Sequence, residues 1–372
     1  MESDNKLFLL DAYALIYRAY YAFIKNPRIN SKGFNTSAIL GFVNTLEEVL
    51  KKENPTHIGV AFDPAGPTFR HEAFEQYKAQ REETPEAIRL SVPIIKDIIR
   101  AYRIPILEVA GYEADDVIGT LATEAGRQGI ITYMMTPDKD YGQLVSDKVF
   151  MYRPKHTGGF EVMGVDEVKA KFDIQSPAQV IDMLGLMGDS SDNIPGCPGV
   201  GEKTAQKLIA EFGSIENLLE HTDQLKGALK TKVETNREMI TFSKFLATIK
   251  IDVPIQLDMD SLVREQADED SLRQIFEELE FRTLIDRVLK KENAGNGITT
   301  PTGNKTAAEK SNLAPLPLFP EEGEAVQGDL FANFTGNEPG EAKNSNLATL
   351  ETLNCDYQLI DTEEKRTKII QK

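Results

Sequence analysis

Residues Leu7 to Phe23 read LFLLDAYALIYRAYYAF, and this stretch sets the fold. Leu7 to Leu10 have the length and continuity of a strand buried on both faces. Asp11 ends the run, and Ala14 to Phe23 then follow helical spacing. The same grammar returns downstream. Ile58 to Phe62 form a second apolar run that stops at Asp63, and between the two lies Thr36 to Leu50, whose apolar positions Ile39, Leu40, Val43, Leu46, Val49 and Leu50 recur at helical intervals. Strand, helix, strand with a crossover of that length predicts a βαβ unit and a parallel sheet. Ile88 to Ile99 (helix), Ile104 to Val109 (strand), Glu113 to Arg127 (helix) and Ile130 to Met135 (strand) extend it. The predicted class is α/β, with a mostly parallel central sheet and flanking helices.

Asp11, Asp63 and Asp138 each stand just past the C-terminal end of a predicted strand, the edge where open α/β sheets bind ligands. The helix from Glu113 starts at the same edge and brings Asp115 and Asp116. Near a helix start, acids also serve the helix dipole and capping, and Asp138 to Asp140 also reads as an ordinary turn. Their convergence is what favours chemistry: so many carboxylates cannot all ionise at close range without compensation. A divalent cation supplies it, and an all-oxygen donor set suits Mg²⁺ or Mn²⁺ rather than zinc. Calcium-loop and nucleotide-loop readings fail. Gln143 and Ile194 stand where an EF-hand loop needs glycine, and Lys203 comes one position late for a phosphate loop after Gly196 and Gly201.

Composition bounds the rest. The 372 residues leave room for two domains, and 41% apolar content supports a core. A net charge of −17 argues against coating nucleic acid by charge alone, although a carboxylate cluster would itself lower the charge. Cys197 and Cys355 form neither a disulfide framework nor a zinc pattern. No signal peptide and no apolar run long enough to cross a bilayer is read, so a cytoplasmic protein without membrane contact is expected.

Met183 to Phe212, MLGLMGDSSDNIPGCPGVGEKTAQKLIAEF, joins an acidic pair, Asp189 and Asp192, to a glycine hairpin that opens a helix. The i, i+3 spacing predicts one shared helical face for the two acids. The hairpin would offer free backbone N–H groups to a phosphate. Beyond Ser176 short helices replace strands, ending in an amphipathic helix over Leu272 to Leu289. The expected organisation is an α/β domain over 1–175, a helical subdomain over 176–292, a flexible linker over 293–347 and the opening of a further domain over 348–372.

The segments LFLLDAYALIYRAYYAF, VAFDPAGPTFRHEAFEQYKAQR, GYEADDVIGTLA, MTPDKDYGQLV and MGDSSDNIPGCPGVGEKTAQKLI together resemble, in order, the motifs of the 5′-nuclease domains at the N-terminus of bacterial DNA polymerases I, the flap endonuclease and 5′-3′ exonuclease family. The likeness runs from about Lys6 to Leu289. Ala12, where many members have glycine, is a departure that leaves the ligand before it intact. The resemblance implies a PIN-like 5′-nuclease fold and two metal sites, Asp11, Asp63, Glu113 and Asp115 matching the first, and Asp116, Asp138, Asp140, Asp189 and Asp192 the second and its surroundings.

It also implies a helical arch over about 66–95, with Lys78 and Arg81, alongside Asp115, as catalytic residues on the scissile phosphate. Read as a helix, Phe69 to Arg81 puts Arg70, Phe74, Tyr77, Lys78 and Arg81 on one face, so Arg70 and Tyr77 are expected on DNA as well. The alternative is a solvated helix with Phe74 and Tyr77 in the core. Gly199 and Gly201 with Lys203, Thr204 and Lys207 resemble a helix-hairpin-helix that grips duplex backbone, with K⁺ as a fitting hairpin ion. Gln327, Leu330 and Phe331 resemble a sliding-clamp peptide, and Tyr357 to Glu364 the first strand of a 3′-5′ exonuclease-like domain. The function implied is removal of 5′ flaps and RNA primers from DNA junctions, by a monomer in the cytoplasm beside the nucleoid, within replication and repair. The competing reading is an inactive junction-binding scaffold.

Overall fold

The computed structural model describes residues 5–155 and 159–289. The expected linker and final segment, with Gln327, Leu330 and Phe331, lie outside the described residues. The strands are β1 (Lys6–Asp11), β2 (His57–Ala61), β3 (Ile106–Leu107), β4 (Ile131–Met135), β5 (Val149–Pro154) and β6 (Phe160–Met163), in the order β3-β2-β1-β4-β5-β6. All neighbours are parallel except β5 and β6. The chain therefore builds outward from β1 in one direction, then restarts beside it with β4. The crevice at that switch is where a sheet of this kind binds ligands, and Asp11 closes β1 there.

Helices of the α/β half are α1 (Ala12–Ala22), α2 (Ser37–Glu48), α3 (Phe69–Ala73), α4 (Glu86–Ala101), α5 (Ala114–Arg127) and α6 (Val165–Phe172). The helical half holds α7 (Val180–Met187), α8 (Glu202–Phe212), α9 (Ile215–Glu220), α10 (Gly227–Thr235) and α11 (Arg237–Ala247), followed by α12 (Glu269–Glu278) and α13 (Arg282–Leu289). Strand alternation splits the core into two layers. Leu7 and Leu9 pack with Val117, Met134, Met183, Leu208 and Ile240, so α5 and the helical half share one face of the sheet. Phe8 and Leu10 pack with Ile39, Phe42, Ile95, Leu272 and Phe276 on the other. Each such fully buried side chain is worth about 1.5–3 kcal/mol against exposure. Close approach has one clear signature: a Cβ on Gly41 would lie 2.5 Å from that of Ala19, where α1 crosses α2.

The structure adds two strands to the expected pattern and revises two helices. Strands β5 and β6 were not anticipated; their mixed polar and aromatic composition hides an antiparallel edge. The Leu272 to Leu289 pattern is two helices, broken where Glu280 adopts φ +62°, so that Phe276 and Phe281 enter the same core. Those two helices pack into the cluster of Phe8 and Leu10 on the sheet. Finally, the stretch read as one helix over Phe69 to Arg81 is a short α3, an extended Phe74 and a run of turns to Arg81, with α4 beyond.

Candidate metal centre and nucleic-acid interface

Asp11 caps α1, its Oδ1 accepting from the Ala14 amide at 3.1 Å, while Oδ2 accepts from the Thr136 and Tyr141 hydroxyls at 3.2 and 3.3 Å. Asp63 accepts from the Ala114 amide at 2.7 Å, which ties the end of β2 to the start of α5. Asp115 accepts from the Asp116 amide at 2.7 Å in that first turn. Beyond β4, Asp138 caps a 3₁₀ turn over Lys139–Leu144, accepting from the Asp140 amide at 2.9 Å. The acid edge is thus assembled by four strand ends and helix starts, as the strand pattern implied.

Asp189 and Asp192 reach the same cluster by another route. They do not share a helical face: α7 ends at Met187, and residues 189–194 form a tight loop closed by Asp189 N–H to Ile194 C=O (2.9 Å) and its reciprocal (2.8 Å). Gly188 and Gly196 make the loop possible, since a Cβ on Gly196 would sit 2.3 Å from the Gly188 nitrogen. Asp192 then faces Lys78 and Arg81, and Asp189 accepts from the Lys139 ammonium at 2.9 Å.

Electrostatics divide these acids. Burial, then Asp63, pushes Asp11 up to about 7. Desolvation in the crowded group raises Asp63 and Asp138, which keep exposed surface, as well as half-buried Asp115 and Asp140; Asp116 adds to it for Asp115, Asp192 and Asp189 for Asp138, and Asp138 and Asp189 for Asp140. For Glu113 and Asp192 burial acts in the same sense but is outweighed. Lys78 and Arg70 hold Glu113 down, and Lys78 and Arg81 hold Asp192 down.

A divalent cation fits the raised group. Asp140 Oδ1 is buried without a hydrogen-bond partner, an arrangement that costs about 1–3 kcal/mol or more for a charged oxygen unless something binds it. Oxygens of Glu113, Asp115 and Asp116 also come within 4.8 Å of one another. Asp116 is the most enclosed of the nine, with no exposed surface. Both its oxygens are taken, Oδ1 and Oδ2 by the Arg70 guanidinium at 2.9 and 2.8 Å, and by the amides of Lys250 and Glu113 at 2.8 and 3.1 Å. It anchors a cation of the protein.

That pairing corrects two residues expected on DNA. Arg70 is 1% exposed and bound to Asp116; Tyr77 is 3% exposed, and its hydroxyl donates to Glu113 at 3.0 Å and Asp192 at 3.1 Å. Neither can meet a nucleic acid, because the segment turns after α3 and folds its Arg70 and Tyr77 side chains inward. Lys78 and Arg81 do face the cleft. Lys78 takes φ +55°, its amide donates to the Asp192 carbonyl at 3.0 Å, and its ammonium reaches Glu113 at 2.7 Å. Arg81 holds Asp192 and the Ser191 carbonyl. A left-handed lysine costs about 1–3 kcal/mol unless its surroundings impose it, and here the 189–194 loop imposes it.

Away from the acids, Gly196 to Gly201 lead from α7 to α8. Gly199 has φ +77°, and Gly201 is extended and caps α8, leaving the first-turn amides ahead of the helical ladder. Lys203 and Lys207 are exposed on α8 and Thr204 is half-buried. Residues that pattern reading missed support both sites: Thr136 and Tyr141 on Asp11, Lys139 on Asp189, and Lys232, whose ammonium donates to the Gly199 carbonyl at 3.2 Å. Lys139 was signalled by its place between two candidate acids; Lys232, 33 positions from its partner, had no local signal.

A mostly parallel sheet with an acid-lined switch point is thus joined to short helices around the 196–201 hairpin. The family described as 5′-3′ exonuclease, N-terminal resolvase-like domain, matches residues 6–173, and 5′-3′ exonuclease, C-terminal SAM fold, matches residues 175–270. The chain belongs to the 5′-3′ exonuclease family. DNA polymerase I of Bacillus subtilis is 43% identical over 291 residues, covering 77% of this chain and 33% of the relative. That of Bacillus caldotenax is 41% identical over 287 residues, covering 76% and 32%. The chain thus spans about a third of the length of these relatives. In fold it is similar to T5 5′-exonuclease with bound zinc (TM-score 0.55, 21% identity, 74% of this chain and 99% of that one). It is likewise similar to the catalytic core of Rad2 in complex with DNA substrate (TM-score 0.53, 18% identity, 76% and 93%).

Proposed function

We propose that this chain is the 5′-nuclease portion of a DNA polymerase I and hydrolyses phosphodiester bonds at 5′ flaps and at 5′ ends of DNA or RNA primers. The observation that carries this is the raised acid group with its orphaned Asp140 oxygen, bordered by Glu113 and Asp192, which hold Lys78 and Arg81. Asp11, Asp63, Asp115, Asp138, Asp140 and Asp189, with Glu113 and Asp192 at the border, would hold two Mg²⁺ or Mn²⁺ ions. When bound, such ions supply Lewis acidity and make water nucleophilic near neutral pH.

The chain's own residues do the rest. Lys78 and Arg81 leave the Glu113 and Asp192 carboxylates for the scissile phosphate and stabilise the negative charge that develops on its oxygens. Tyr77 keeps Glu113 and Asp192 in register while they do so. The hairpin amides, with Lys203, Thr204 and Lys207, hold duplex backbone without reading bases. K⁺ at the hairpin would share the Gly199 carbonyl with Lys232. A sliding clamp would dock on Gln327, Leu330 and Phe331, and the setting is the cytoplasm beside the nucleoid. Loss of clamp binding on L330A/F331A tests the docking peptide.

The test of the main reading is a labelled 5′-flap junction with Mg²⁺. Release of the flap, abolished by chelation, is expected. Tight junction binding with no release would overturn it in favour of an inactive scaffold.

A further inference from the structure

Arg70 lies on α3 with a saturated guanidinium: its five N–H groups fill five acceptors. Three bonds go to the acids, Nη1 to Glu113 (3.1 Å) and Asp116 (2.8 Å) and Nη2 to Asp116 (2.9 Å). The other two leave the α/β half. Nε donates to the Leu246 carbonyl at 2.9 Å and Nη2 to the Thr248 carbonyl at 2.8 Å, at the C-terminal end of α11. The stretch just after α11 is sewn down around this pair. The Lys250 amide donates to Asp116 at 2.8 Å, the Ile249 amide to Gln143 Oε1 at 2.8 Å, and Gln143 Nε2 to the carbonyls of Asp140 and Ala247 at 3.0 Å each. Gly119 of α5 makes room, since a Cβ there would lie 2.7 Å from Ile249.

This seam joins what the proposed function needs held at a fixed distance. α11 packs against α7, and α7 leads into the 188–194 loop and the hairpin that would hold duplex. On its other side the seam is bonded to Glu113 and Asp116 of the α5 turn and to Asp140. Resting on the nuclease reading above, we propose that Arg70 is a positioning residue: it fixes the duplex-holding helical half against the acid cluster and so sets where the cut falls. Only an arginine fits the role. A planar fork spans two carbonyls and a carboxylate at once, whereas lysine brings charge to one point with three donors.

Arg70→Lys on a 5′-flap substrate with Mg²⁺, products resolved to the nucleotide, tests this. A single dominant product is expected from the wild-type chain; its absence counts against the nuclease reading, not against the seam. For R70K the dominant product should lose its position and neighbouring products should rise to a comparable share. Turnover should fall roughly a hundredfold, as a misplacement of about 1 Å does, with KM for the junction held. Gln143→Ala, which loosens the same seam and touches no acid side chain, should shift the products in the same sense and serves if R70K does not fold. Amide exchange over 246–250 without DNA reads the seam independently of cleavage and should run roughly tenfold faster in both variants. Unmoved cut positions in the folded variants, or unchanged exchange, would overturn the proposal.

Discussion

Two neighbouring sets of carboxylates in one cleft behave in opposite ways. Glu113 and Asp192 lie in the same crowded group, yet Lys78, Arg70 and Arg81 hold them below the ordinary carboxylate range. Asp11, Asp115, Asp138 and Asp140 have no such cations outweighing their burial and are pushed up. The protein neutralises one set with its own side chains and leaves the other to be neutralised from outside. On the function proposed above, the first set is where cations would exchange onto a phosphate and the second where metal ions would bind. Lys78 and Arg81 sit on the border, paired with Glu113 and Asp192.

The largest effect expected is on the uncompensated side. Asp115→Asn removes a ligand and should bring flap cleavage below detection while junction affinity, measured by gel shift in Ca²⁺, stays near wild type; full turnover would erase the distinction between the sets. On the compensated side, Lys78→Ala should lower turnover by on the order of a hundredfold, as loss of an oxyanion stabiliser does. An effect confined to affinity would reduce Lys78 to a phosphate anchor.

The division should also appear in stability. With metal chelated, folded Asp11 keeps its proton up to about pH 7, whereas the unfolded chain releases it near 3.8. The folded state then binds more protons across that window, so stability falls as pH rises from about 4 to 7 and levels off above. Added Mg²⁺ should flatten this slope in thermal melts; a slope unaffected by Mg²⁺ would mean the raised acids are not the metal ligands. The smallest effect belongs to the hairpin. Lys203→Ala or Lys207→Ala should each weaken junction binding a few-fold and lower the salt slope by about 1, leaving single-turnover cleavage at saturation unchanged.

Much of this was legible in the chain itself. Apolar runs of strand length, each stopped by an acid, place Asp11, Asp63 and Asp138 at one edge because side-chain period and strand ends are local properties. The lysine-bearing hairpin followed from glycine and proline at positions that only a turn accepts. What was misread shares one cause. Helical spacing put Arg70 and Tyr77 on the same face as Lys78 and Arg81, but Phe74 is extended and the segment turns, so that the first two point inward and the last two into the cleft. The i, i+3 spacing of Asp189 and Asp192 was likewise helical in pattern and a loop in fact.

The sequence by itself determined the parallel strands β1 to β4 and the acid edge at their ends, since these follow from periodicity and residue type. Tertiary structure alone decided which acids meet a cation of the protein. That choice depends on Arg70, Lys78 and Arg81 reaching across 35 to 111 positions of chain to Glu113, Asp116 and Asp192. Charge pairing at a distance of a few ångströms has no period in the sequence from which it could be read.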